Sequence, residues 1–407
     1  MADVSVPGSA ARAGVAWRWQ PALAIAGLIA IALNQRPALV AVGPLMTPLR
    51  SDTGMGAAGA SLLTTLPLLC FGAVAILAPP LGRRLGLDRT LAIALAVLIL
   101  GIGIRLCPSV PALFIGSAVA GAGIAISNVL LPGVIKRDFP RHTGPAMGGY
   151  SVLLNGGAAL ASGATVPLGL LLHTGWRTTL ALWGLLAIAA LGLWVPRVAR
   201  RRRTVEADVA HRPIGVWRSR LAWAVAGFMA LQSLVYYALI AWLPTMLQDA
   251  GLGQARAGFM TAVMSATGIG ASFAAPVLAT RMAGQRSLVL ASFVAFTVGL
   301  TGLMTMPAAG VWAWMLFLGI GQGAGIGLAL TLFVLRSQTS AVAAQLSGMA
   351  QTVGYLVAAT GPLTIGVLHD VSGGWTWPLL TLTALLAALL AAGWYAAADR
   401  TVEDDVQ

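Results

Sequence analysis

Long apolar blocks follow one another along this chain with only short polar breaks between them, and that pattern leaves few folds open to it. We read twelve blocks: 20–45, 57–79, 90–107, 111–134, 145–172, 176–195, 221–248, 257–279, 287–306, 309–335, 343–368 and 375–397. About 20 helical residues cross the ~30 Å of bilayer hydrocarbon. Inside hydrocarbon every backbone N–H and C=O must be bonded within the protein, so a spanning segment is a helix or a barrel strand. The blocks are continuous rather than alternating, which excludes strands. Only 9% of residues are charged, against about 25% in a soluble domain. The expected fold class is an all-α membrane protein with twelve transmembrane helices.

The basic residues are distributed by side of the membrane. Twenty, including Arg83, Arg84, Arg89, Lys136, Arg137, Arg141 and eight between Arg197 and Arg220, lie on one side, against four (Arg50, Arg105, Arg177, Arg256) on the other. The positive-inside rule then places both termini in the cytoplasm. The net charge of +13 is read as topological, so no nucleic-acid partner is expected. The expected location is a bacterial plasma (inner) membrane, crossed many times, with no removable signal peptide. Residues 197–220 form the one sizeable polar stretch. They divide the chain into a bundle over 1–196, a cytoplasmic Arg-rich linker and a bundle over 221–407. The linker reads either as a tether on anionic headgroups or as a regulatory docking segment. Cys70 and Cys107, in or at the end of different blocks, read as packing residues.

The two halves repeat at an offset of about 200. Gly43-Pro44-Leu45-Met46 matches Leu243-Pro244-Thr245-Met246, Gly121-Ala122-Gly123 matches Gly321-Gln322-Gly323, and Met147-Gly148-Gly149 matches Leu346-Ser347-Gly348. Two six-helix bundles related by a parallel, pseudo-twofold repeat are the major facilitator architecture, with substrate held near the midplane between them. Individual runs carry the likeness further. Leu33-Asn34-Gln35-Arg36-Pro37-Ala38, Asn128-Val129-Leu130-Leu131-Pro132 and Ile135-Lys136-Arg137-Asp138-Phe139-Pro140 resemble the cyanate/nitroimidazole permease family of that superfamily. So do Leu231-Gln232-Ser233-Leu234-Val235-Tyr236-Tyr237 and Ser347-Gly348-Met349-Ala350-Gln351. The resemblance implies a secondary carrier of cyanate-like anions or nitroimidazole-like molecules, with helices 1, 4, 7 and 10 lining the cavity. The superfamily's loop between helices 2 and 3 usually reads Gly-x-x-x-Asp-Arg-x-Gly-Arg-Arg. Here it is Gly82-Arg83-Arg84-Leu85-Gly86-Leu87-Asp88-Arg89, with altered spacing. We expect Arg83, Arg84, Asp88, Arg89, Arg137 and Asp138 to form a cytoplasmic gate.

Arg36 is the deepest charge in any block. A fixed cation at the bilayer centre costs about 2.5–3.5 kcal/mol on insertion scales, so it faces protein or a watery cavity and is a functional candidate. The expected substrate-binding set is Asn34, Gln35 and Arg36 on helix 1, Asn128 on helix 4, and Tyr150 and Asn155 on helix 5. The second half adds Gln232 and Tyr236 on helix 7, Gln322 on helix 10, and Gln351 and Tyr355 on helix 11. At the 200 offset Tyr236 is the counterpart of Arg36. For Arg36 the alternative is a tie to helix-end carbonyls; for the amides it is interhelical hydrogen bonding. Pro37, directly after Arg36, predicts a kink that loosens carbonyls beside the charge.

The twelve acids and four histidines all lie in breaks, tails or span ends. A cationic substrate therefore finds no countercharge, and an enzyme would lack an acid/base pair or ligand cluster. No cofactor and no metal are expected. The partners expected are a small-molecule substrate (an anion or a polar heterocycle) and the lipid bilayer, with the chain acting as a monomer. Two alternatives stay open: an exporter of neutral drug-like compounds, and a membrane sensor that binds without transporting.

Overall fold

The computed structural model describes residues 24–201 and 215–406. Arg12, Arg18 and the tract Arg202–Arg212 lie outside the described residues. In chain order the apolar helices are α1 (Ala24–Val40), α2 (Ala57–Ala75, continued after a bend as Ala78–Leu85), α3 (Leu87–Ile104), α4 (Val110–Asp138), α5 (Thr143–Leu171) and α6 (Trp176–Arg201). After the polar stretch come α7 (Arg220–Asp249), α8 (Gln254–Ala279), α9 (Arg286–Thr305), α10 (Val311–Leu335), α11 (Ser340–Ser372) and α12 (Thr376–Ala396). Among the described residues ten are long and apolar enough to cross a bilayer unaided, eleven when the bent pair Thr65–Ala75 and Ala78–Leu85 is counted as one span, and α1 is shorter. Helix α6 continues to Arg201, past the expected linker boundary at 197.

The starts of three spans are written in the sequence. Ser109, Ser219 and Thr339 stand at the N-caps of α4, α7 and α11, and each side-chain oxygen accepts the N–H three residues on. This satisfies one of the donors that every helix start leaves open. At the bend in α2, Pro79 and Pro80 fall in the first turn of the second segment, where a missing N–H costs nothing.

The apolar windows of the helices differ widely in burial. In α4 and α10, 83% and 78% of the apolar window is buried inside the protein, against 22% in α5. Glycine makes the central packing possible. A Cβ at Gly123 would stand 2.5 Å from the Ala94 carbonyl of α3, and one at Gly323 would stand 2.0 Å from the Gly268 carbonyl of α8. Any side chain at either position would push the helices apart. Cys70 packs partly buried, whereas Cys107 is exposed, which corrects its reading as a packing residue: it sits beyond the C-terminal end of α3.

Candidate functional site

Helix α1 breaks where the polar run begins. Residues 34–36 form a turn, and helix resumes as Pro37–Val40. Pro37 has no N–H to give the Leu33 carbonyl. That carbonyl instead lies against Gly157 of α5, where a Cβ would be only 2.5 Å away. The Asn34 amide secures the break by donating to the Ala30 carbonyl at 2.8 Å and to the Leu186 carbonyl of α6 at 3.0 Å. The kink expected from Pro37 is present, and it sets Arg36 on a short, separately held segment.

Arg36 reaches across to the second bundle. Its Nη1 donates to the Tyr237 hydroxyl at 3.2 Å. Tyr355 and Tyr236 lie within electrostatic reach of the same guanidinium. The spacing paired Arg36 with Tyr236, but the bond goes to Tyr237, one residue further on. Tyr236 stacks edge-on against it with centroids 5.1 Å apart. Phe71 of α2 meets Tyr355 of α11 at 5.1 Å, so a ring of the first bundle packs against the tyrosine group of the second. Among the described residues no carboxylate forms an ion pair with Arg36.

A second polar group lies close by. The Tyr150 hydroxyl donates to Asn128 Oδ1 at 2.7 Å, and Gln351 Nε2 donates to the Asn128 backbone carbonyl at 3.3 Å from the other bundle. Tyr150 is within electrostatic range of Tyr355 and Arg36, which joins the two groups into one region. Asn128 Nδ2 and Gln35 Oε1 are buried without a hydrogen-bond partner among the described residues. The contacts described for the remaining expected residues lie within their own bundles. Asn155 bonds the Ser151 carbonyl of its own helix at 3.0 Å. Gln232 bonds Ser233 Oγ at 2.7 Å. Gln322 abuts Gly268, where a Cβ would be 2.4 Å from its Oε1.

At the Arg-rich end, three of the residues expected at the gate, Asp88, Arg137 and Asp138, come together. Arg137 grips Asp88 with both terminal nitrogens, at 3.0 and 2.9 Å, and its Nε bonds Asp138 at 2.9 Å. Arg197 completes the network, donating to Asp88 at 2.8 Å and to Asp138. The sequence reading had assigned Arg197 to the linker. Arg83 and Arg84 are exposed, and with Arg89 they stand outside this network. Arg137, Arg197, Asp88 and Asp138 all belong to the first bundle, so the bonds described among them brace that bundle. The bond between bundles at this end is made by Lys136, which donates to the Val334 and Ser337 carbonyls of α10 and its loop at 2.7 and 2.5 Å. Lys136 is the one lysine in the chain, a signal the sequence reading passed over. Close backbone approaches lie on the same side. Cβ atoms at Gly133 and Gly144 would come within 2.9 Å of the Ser340 carbonyl and 3.0 Å of the Pro276 carbonyl.

Burial also revises the order of the cations. Arg105 and Arg336 are each only 2% exposed, whereas Arg36 is partly open. Arg36 lies deepest along its apolar block, but depth in sequence differs from enclosure by protein.

Two helical bundles with a cation and tyrosines between them define a polytopic membrane carrier. The chain matches the Major Facilitator Superfamily over residues 23–362 and belongs to that family. It is 40% identical to the 2-nitroimidazole transporter of Escherichia coli, over 90% of this chain and 93% of that one. It is 32% identical to the cyanate transport protein CynX of Escherichia coli, over 89% and 95%. Its fold is similar to that of the proton:xylose symporter XylE bound to 6-bromo-6-deoxy-D-glucose, with TM-score 0.72 at 14% identity over 95% and 98%. The chain is a membrane transporter and not an enzyme.

Proposed function

We propose that this transporter is a secondary active carrier of a small anion or a small polar planar compound, with Arg36 as the main substrate anchor. The observation that carries the reading is a guanidinium at the bundle interface, without a carboxylate partner among the described residues and bonded to the Tyr237 hydroxyl, with Tyr355 also in reach. Such a cation keeps donors for a substrate, and its planar fork suits carboxylate-like, cyanate-like or nitro groups. Relatives named for 2-nitroimidazole and cyanate support both substrate shapes. Alternating access follows if the bundles rock about the site. On the topology read from the arginines, both termini face the cytoplasm of a bacterial inner membrane, and Lys136 joins the bundles on the cytoplasmic side.

A second reading draws on the rings of Phe71, Tyr236, Tyr237 and Tyr355. They suit a neutral planar heterocycle, with Arg36 in a structural role. A thermal-shift panel separates the two. Cyanate, nitrate, formate and benzoate are compared with neutral azoles and nitroimidazoles on the wild type and Arg36→Gln, since ligand binding to the folded state raises its stability. Shifts with anions that vanish in Arg36→Gln support the anchor. Shifts with neutral rings that survive the change transfer the reading to uncharged compounds.

A further inference from the structure

The second buried cation of the first bundle bears on how Arg36 is held. Arg105 caps the C-terminal end of α3, and its side chain turns inward, leaving it 2% exposed. Its Nη1 donates to the Ala38 carbonyl at 2.6 Å. Ala38 belongs to Pro37–Val40, the segment that resumes the helix directly after Arg36. In an unbroken helix the Ala38 carbonyl accepts the Val42 N–H. Here the Val42 N–H goes to Leu39 instead, because the chain turns over residues 41–45. Arg105 therefore supplies the donor that the break takes away.

The surrounding backbone leaves room for this side chain and little else. A Cβ at Gly116 of α4 would stand 2.8 Å from Arg105 Cγ, and one at Gly101 would stand 2.7 Å from the Gly116 carbonyl. Nε and Nη2 of Arg105 have no hydrogen-bond partner among the described residues. A buried guanidinium that only filled a helix end would gather several carbonyls. Arg105 spends its one bond on the segment that carries Arg36.

We propose that Arg105 is a positioning residue for Arg36: it pins Pro37–Val40 against α3, and so fixes where the Arg36 guanidinium stands relative to Tyr237. The proposal rests on the reading of Arg36 as substrate anchor, but its geometric half can be tested without any substrate. The variants are Arg105→Met, which removes the donor, and Arg105→Lys, which keeps one. Hydrogen–deuterium exchange with peptide mapping is measured on each purified full-length protein. Binding of cyanate and 2-nitroimidazole is measured alongside by thermal shift.

In Arg105→Met we expect amides 38–45 to exchange at least roughly fivefold faster, with α4 and α7 unchanged. Arg105→Lys should fall between the two. Whichever ligand binds the wild type should lose roughly tenfold in affinity in Arg105→Met, and less in Arg105→Lys. Unchanged exchange over 38–45 in the folded Met variant overturns the proposal. So does an equal rise through the whole first bundle, which marks a general packing role. Should Arg105→Met fail to fold, Arg105→Gln decides by the same local exchange. Should neither ligand bind the wild type, the substrate reading falls by itself and the exchange comparison still judges Arg105.

Discussion

Arg336 and Arg105 expose the same small share of their surface to solvent and differ in what surrounds their nitrogens. Arg336, at the C-cap of α10, donates from Nε to the Ala396 carbonyl at 2.9 Å and from Nη2 to the Ala397 carbonyl at 3.3 Å. It also bonds Gln285 Oε1 and stands 3.8 Å from Asp399. Its acceptors are the last carbonyls of α12, where the helix dipole adds negative potential. Arg105 has a single acceptor among the described residues, and that acceptor belongs to the broken first span. Burial alone therefore does not say what a membrane arginine does. A cation saturated with helix-end carbonyls is a fixed tie, while one holding a single loose carbonyl bears on the segment that carries it.

The comparison makes a test of stability, and it is where the largest effect is expected. Arg336→Met strands an amide oxygen and two carbonyls, each costing roughly 1–3 kcal/mol when buried and unpaired. Arg105→Met strands one carbonyl and also removes a poorly satisfied buried charge. Thermal unfolding in detergent should show Arg336→Met destabilised by at least roughly 3 kcal/mol, and Arg105→Met by clearly less. Equal losses would mean that enclosure, and not acceptor count, sets the cost.

The next effect is conformational. Lys136 bonds carbonyls of the opposite bundle, whereas the bonds from Arg137 and Arg197 to Asp88 beside it run within the first. Hydrogen bonds from a charged donor are worth about 1.5–3 kcal/mol each, of which solvent at this end screens part. Lys136→Met should favour separation of the bundles there by roughly tenfold. Thiol labelling of Ser347→Cys, in a background lacking Cys70 and Cys107, should quicken accordingly. An unchanged labelling rate would leave the close glycine contacts as the seal.

These outcomes also mark how much was legible beforehand. Spans, bundles and the kink at Pro37 could be read because hydropathy and a missing N–H act locally. The partner of Arg36 could not be fixed that way. One residue of register rotates a helix by about 100°, so the repeat offset led to Tyr236 where the fold uses Tyr237. Arg105 read as a loop residue because it stands where an apolar block ends. What turns it inward is the close approach of Gly101 and Gly116 from two helices, a tertiary fact. Arg197 was hidden by a helix that runs on into the charged stretch. Gln232 and Gln322 have the polarity of a lining residue, and packing within their own bundle claims them.

The tyrosine pair sharpens the contrast at smaller scale. Tyr237→Phe deletes the bond from Arg36 Nη1 to the Tyr237 hydroxyl, while Tyr236→Phe leaves that bond in place. If the phenol orients the anchor, ligand affinity should drop by about tenfold in the first variant and by less than about twofold in the second, near 1.4 kcal/mol against a few tenths. Equal losses would place both hydroxyls on the ligand.

The smallest expected effect lies outside the membrane, where a charge is tied down at a helix start. Asp405, in the short helix Val402–Val406, accepts from Ser219 Oγ at 2.7 Å and from the Leu221 N–H at 3.0 Å. Partial burial works against its ionisation, but these bonds and Arg400 outweigh it and hold its carboxyl below the usual range. A carboxylate with a lowered folded-state pKa stabilises fully above its unfolded value and loses that contribution as pH falls through the folded one. The thermal midpoint of the wild type should therefore exceed that of Asp405→Asn by a constant margin from neutral pH to about pH 5. The margin should narrow below about pH 4, where the unfolded carboxyl takes up its proton first. A margin that widened on acidification would mean that the carboxylate is a burden at this cap and that Ser219 alone holds the start of α7.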